Sequence, residues 1–119
     1  MEDFKIDINE RAYQLALGSI RLFRGVSWQQ TATSIIVKQL LRSITSIGAN
    51  ITEAQSAASK KDFQNFIRYA FKSSNDSIYW FRLLVDDGAF DKKSLNILLD
   101  ETRQINKILG KSLVTMKSN

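Results

Sequence analysis

Between Val37 and Ala58 the apolar residues Val37, Leu40, Ile44, Ile47, Ile51, Ala54 and Ala58 recur at alternating steps of three and four, the spacing that lines one side of a packed α-helix. Ser43 and Asn50 stand a heptad apart beside this seam, and Gly48 in mid-run lets a neighbouring helix come close. Three further blocks keep the same period. From about Ile6 to Gly25, the residues Ile8, Ala12, Leu15, Ser19 and Leu22 form one stripe, and Tyr13, Ala16, Ile20 and Phe23 form a second beside it. Phe63, Ile67, Ala70, Ser74, Ser77, Phe81 and Leu84 mark a third helix, and Leu95, Leu98, Thr102, Ile105, Leu109 and Met116 a fourth.

The residues between blocks supply the punctuation. Gly25 predicts a left-handed cap for the first helix, and the second starts between Gln29 and Ser34 and runs to Ala58. Ser59, with Asp62 three residues on, predicts the start of the third helix, and Asp86-Asp87-Gly88 its end. Asp91 predicts the N-cap of the fourth, which runs out in Lys117-Ser118-Asn119. Three short connections make consecutive helices antiparallel neighbours. The predicted fold is therefore all-α, an antiparallel up-down-up-down four-helix bundle in a single domain over residues 1–119.

Composition removes whole classes of chemistry. Five glycines and no proline leave too few turn formers for a many-stranded protein. With neither histidine nor cysteine, the chain has no Ser-His or Cys-His nucleophile, no Glu-x-x-His di-iron pair and no structural zinc site. Its isolated glycines form no phosphate-cradling loop. Asp86, Asp87 and Asp91 surround a turn and Asp100 and Glu101 point apart, so capping and solvation explain these acids better than a magnesium site does. The expectation is a non-enzyme with no cofactor and no metal. The acidic start Met1-Glu2-Asp3 does not read as a signal peptide, and no run approaches the roughly 18 apolar residues of a membrane span. Together with the lack of cysteine, this fits a cytoplasmic location.

Charge adds a functional clue. Seventeen Lys and Arg against twelve Asp and Glu leave a net +5, a balance that attracts polyanions. Arg103, Lys107 and Lys111 form a ridge at four-residue spacing on the fourth helix, with Lys117 beyond and no acid after Glu101. Arg68 and Lys72 form a shorter ridge on the third. Lys60, Lys61, Lys92 and Lys93 sit at helix starts, where the macrodipole disfavours cations. These positions are candidates for contact with RNA or DNA, although cations near a helix C-terminus and on a solvated face have an equally ordinary structural explanation. Trp28, Tyr69, Phe71 and Trp80 fall beside the seams and are candidate stacking platforms, against a background in which most aromatics at helical spacing are core. The chain contains no RNA-recognition string, zinc-finger spacing or helix-turn-helix pattern, so binding would rest on phosphates.

Two further groups carry alternatives. The second stripe of the first helix, Tyr13, Ala16, Ile20 and Phe23, exceeds what one bundle core needs and is a candidate oligomer interface; otherwise it embeds that helix deeply between two neighbours. Asn50 and Glu53 either form a ligand site or hydrogen-bond to Arg42, Ser73 or Asp76 and, with Ser43, fix helix register, which is the preferred reading.

The segment from Gln39 to Ala54, centred on Ser46-Ile47-Gly48-Ala49-Asn50-Ile51-Thr52-Glu53, resembles the signature of the bacterial four-helix-bundle proteins first noticed as reading frames inside intervening sequences of 23S ribosomal RNA genes. Lys61-Asp62-Phe63, Phe66, Ala70, Ser73, Asp76 and Tyr79-Trp80 extend the likeness over nearly the whole chain. Ala54 and Lys72 stand where that family often has glycine, Asp76 where glutamate is usual, and Ile78 where a second acid is common. The resemblance implies a homo-oligomer, typically a pentamer, with no established catalytic activity; a five-membered ring multiplies the chain's charge fivefold. A related branch serves as the accessory protein of diversity-generating retroelements, a basic barrel that binds nucleic acid and a reverse transcriptase. The rival expectations are a scaffold for a protein partner such as a reverse transcriptase, without affinity for nucleic acid, and a membrane-surface protein that prefers anionic vesicles.

Overall fold

A computed structural model describes the backbone of residues 2–27 and 31–118 and the side chains of residues 8–27 and 31–117. Trp28, Gln29 and Gln30, which include one stacking candidate and the earliest start foreseen for the second helix, lie outside the described residues. The described residues form four helices: α1 (Glu2–Leu22), α2 (Ala32–Gln55), α3 (Lys60–Asp87) and α4 (Lys92–Ser118). Each packs on its neighbours in sequence and α4 closes on α1; among the described residues the diagonal pairs α1 with α3 and α2 with α4 do not pack together. The result is the up-down-up-down bundle, a rod of 46 × 22 × 20 Å.

Local chemistry sets the ends. Thr31 Oγ1 accepts from the Ser34 amide and Ser34 Oγ accepts from the Thr31 amide, each at 3.2 Å, a reciprocal capping box for α2. This helix stops at Gln55, not Ala58: the amides of Ser56 and Ala57 donate to Glu53 and Ala54 at 3.1 Å, tightening the last turn, and Ala58 is exposed. Ser59 Oγ accepts from the Asp62 amide at 3.1 Å and starts α3. Gly88 ends it with φ 80°, the left-handed conformation that a glycine adopts without steric cost. Gly25 does not share that role, since Gly88 alone has a positive φ among the described residues; α1 ends at Leu22 in a turn closed by the Val26 amide on the Phe23 carbonyl at 3.1 Å. Asp91 caps α4 by accepting from the Ser94 hydroxyl at 2.6 Å and the Ser94 amide at 2.9 Å. Those two bonds, the hydroxyl first, hold its carboxyl below the ordinary value of 3.8.

The core follows the periodic positions. Val37, Leu40, Ile44, Ile47, Ile51 and Ala54 of α2, Ile67, Ala70, Phe81 and Leu84 of α3 and Leu95, Ile105 and Leu109 of α4 belong to one buried cluster. On α4 the seam passes through Leu99 rather than Leu98. Leu98 is half-buried over Gly18, where an added Cβ would stand 3.2 Å from Leu98 Cδ2. The buried hydroxyls of Ser19 and Thr102 donate to the Leu15 and Leu98 carbonyls one turn back, at 2.8 and 2.7 Å, which satisfies them without a partner helix. Arg11 fastens α1 to α4 through a two-pronged pair with Glu101 at 2.7 and 2.8 Å.

Candidate nucleic-acid interface

Hydrogen bonds and close packing fix how α3 and α4 lie side by side. Asn106 donates to Ser74 Oγ and Asn75 Oδ1, both at 2.8 Å. One turn further along α4, the Phe71 ring lies against Gly110, where an added Cβ would come within 3.0 Å of it. At the end of this seam Arg68 and Lys117 line one groove of about 360 Å³ with Gln64, Leu113, Val114 and Met116. The antiparallel register therefore brings the start of α3 and the end of α4, 49 positions apart in sequence for Arg68 and Lys117, onto one surface.

That surface is basic. Lys60, Lys61, Arg68 and Lys72 on α3 and Lys107, Lys111 and Lys117 on α4 are all exposed. Between residues 60–75 and 104–117 the single acid is Asp62. Glu101, the last acid of α4, is held by Arg11. Among the described residues Lys72, Lys107 and Lys111 form no ion pair, so their charge stays available to a ligand. Arg103 continues the ridge one turn towards the middle of the rod. Lys92 and Lys93 are also exposed, but they lie at the opposite end of α4 beside Asp91 and near the acidic end of α3, Asp86-Asp87. The rod thus separates these two from Lys60, Lys61, Arg68, Lys72, Lys107 and Lys111, with Arg103 between the two groups. Lys117, beyond the end of the fourth-helix ridge in sequence, meets the third-helix ridge through the groove it shares with Arg68.

The polar residues of α2 and α3 make a different network from the one expected. Asn50 donates to the Ser46 carbonyl at 2.9 Å and to Ser46 Oγ at 3.0 Å, within its own helix. Ser73 reaches across from α3 to the same Ser46 Oγ at 3.0 Å, whose two lone pairs serve both donors. The Ser77 hydroxyl lies 2.9 Å from Ser43 Oγ and 2.8 Å from the Ser73 carbonyl. Register is thus locked by serines, with Ser46 and Ser77 as its missed members; Ser46 carried a signal, standing four residues before Asn50. Arg42, Glu53 and Asp76 are exposed and make no bond to Asn50. Arg42 and Asp76 instead border, with Trp80, an open polar groove of about 320 Å³.

The second stripe of α1 also divides. Tyr13 and Ile20 are 61% and 43% exposed and Ala16 is half-buried. Phe23 is not a surface residue: it is 1% exposed, with its ring edge-on to Phe90 at 5.0 Å, and belongs to the core. Among the described residues no His, Cys, Asp and Glu cluster is placed to hold a metal ion, and no helix is long and apolar enough to cross a membrane.

These features have counterparts in known proteins. No curated protein sequence matches the chain. A crystal structure of a protein of unknown function from the S23 ribosomal protein family of Bacteroides thetaiotaomicron superposes with a TM-score of 0.80 at 31% identity, covering 89% of this chain and 97% of that one. The profile of the 23S rRNA-intervening sequence protein family matches residues 5–111, and the chain belongs to that family.

Proposed function

We propose that this chain is a non-enzymatic, self-assembling bundle that holds the sugar-phosphate backbone of RNA or DNA on its α3–α4 face. The observation that carries the reading is the gathering of seven exposed cations against one acid on a single surface, where lysines take the place of the counterions condensed on a phosphate backbone and release them. The face has no reading head that would enter a groove, so recognition is of charge and shape rather than of base edges. Self-assembly is supported by Tyr13 and Ile20, two large apolar side chains on the outer side of α1 that a sister copy would cover.

The test is a titration of labelled single-stranded RNA, duplex DNA and anionic vesicles at two salt concentrations, with the assembly's mass measured by light scattering. Binding of nucleic acid that weakens steeply with salt, by an oligomer, supports the proposal. Absence of nucleic-acid binding at low salt overturns it in favour of a scaffold for a protein partner, and preference for vesicles overturns it in favour of a membrane-surface role.

A further inference from the structure

Two tyrosines on α3 are more than half exposed. Tyr69 is 54% exposed and Tyr79 55% exposed, the first edge-on to Phe66 at 6.2 Å and the second edge-on to Trp80 at 5.1 Å. Each ring is propped from one side and leaves the rest to solvent. Phe71 and Trp80, by contrast, are half-buried and pack against the core. Helical spacing places Lys72 between the two open rings, together with the acid Asp76, and sets Arg68 and Arg82 just outside them. Lys72 is three residues after Tyr69 and seven before Tyr79, Arg68 is eleven before Tyr79, and Arg82 is three after it, all separations that keep residues on neighbouring parts of one helix surface. From residue 63 to residue 82 three cations stand against the single acid Asp76. Ten residues separate the tyrosines, about 15 Å along the axis at about 1.5 Å per residue, the length of about four stacked nucleotides at about 3.4 Å each.

Resting on the proposed nucleic-acid face, we infer that its occupant is a single strand, with one base stacked on Tyr69 and another on Tyr79 while Lys72 holds a phosphate between them and Arg68 and Arg82 hold the flanking phosphates. A duplex keeps its base faces stacked on one another and offers the rings nothing. A single strand presents open faces, and stacking on an aromatic ring is sequence-tolerant. This matches a surface with cations and rings but no base-edge reader.

The experiment compares a labelled single-stranded oligonucleotide with the same sequence as a duplex, on wild type, on the Tyr69→Ala, Tyr79→Ala double variant and on the Tyr69→Phe, Tyr79→Phe double variant. Circular dichroism checks helix content. The expected result is tighter binding of the single strand by wild type, a loss of at least about 30-fold for the alanine variant on the single strand, a change within about 2-fold on the duplex, and recovery by phenylalanine, which keeps the ring. Equal loss on both nucleic acids, or no loss on the single strand, overturns the inference and leaves the backbone-binding proposal standing. A shift in oligomer mass with affinity intact also overturns it, by showing that the rings serve a sister copy. If wild type binds neither form, both readings fall.

Discussion

Ile44 and Ile35 lie nine residues apart on the same helix, yet one is fully buried and the other 49% exposed. Replacing Ile44 with alanine removes three methylene-sized groups from the centre of the α2 seam. At about 0.8 kcal/mol each this costs about 2.4 kcal/mol in transfer free energy, and a cavity that the surrounding helices fail to close raises the total to about 3 to 4 kcal/mol. For a chain of this size that corresponds to a Tm lower by about 10 to 15 °C. Ile35→Ala removes the same atoms from a half-solvated position and costs under about 1 kcal/mol. The assay is urea and thermal unfolding followed by circular dichroism, at one protomer concentration for all variants because assembly links stability to concentration. A difference below about 1 kcal/mol between the two variants would refute the packing argument. So would a large loss from Ile35→Ala alone, which would place the outer side of α2 in a buried contact.

Two smaller predictions test the helix ends. Gly88→Ala forces a side chain into φ 80° with open space around it, so it destabilises by about 1 kcal/mol through backbone conformation alone. Gly25→Ala, with equally open surroundings and no positive φ, is neutral or stabilising by up to about 1 kcal/mol; unfolding midpoints in the opposite order would contradict the cap assignments. Because the Ser94 hydroxyl and amide depress the Asp91 pKa in the folded chain, this carboxylate stabilises the fold above its unfolded value and the benefit disappears as pH falls through the lower folded value. The Tm gap between wild type and Asp91→Asn therefore narrows as pH drops below 3.8, and a gap that widened in acid would show that the charge is not what caps α4.

The helices were legible because packing in a bundle depends on the three-and-four period, which Val37 to Ala54 and Ile67 to Leu84 display without interruption. Their ends were less so. Gly25 offers the right residue for a left-handed cap, but the turn between Phe23 and Val26 closes without one, and this same turn carries Phe23 inward onto Phe90. Leu98 and Leu99 are adjacent and equally apolar; Gly18 on α1 decides between them by opening a seat for Leu98 at the edge of the core. The cations were visible as ridges, but only the antiparallel register shows that Arg68 belongs with Lys117 and that Lys92 and Lys93 belong elsewhere. Asn50 announces a polar contact, yet hydrogen-bond partners depend on rotamers and helix rotation, which place Ser46 between Asn50 and Ser73 and leave Arg42 and Asp76 out of the contact.

The most direct test of the basic α3–α4 face is the salt dependence of binding to single-stranded RNA after Lys72, Lys107 and Lys111 are all changed to glutamine. Each lysine that neutralises a phosphate contributes about 0.7 to the slope of log affinity against log salt on a single strand, so the triple variant loses about 2 from the wild-type slope. The Lys92→Gln, Lys93→Gln control at the opposite end of α4 leaves the slope unchanged. Equal effects of the two sets, or a triple variant with the wild-type slope, would contradict the assignment.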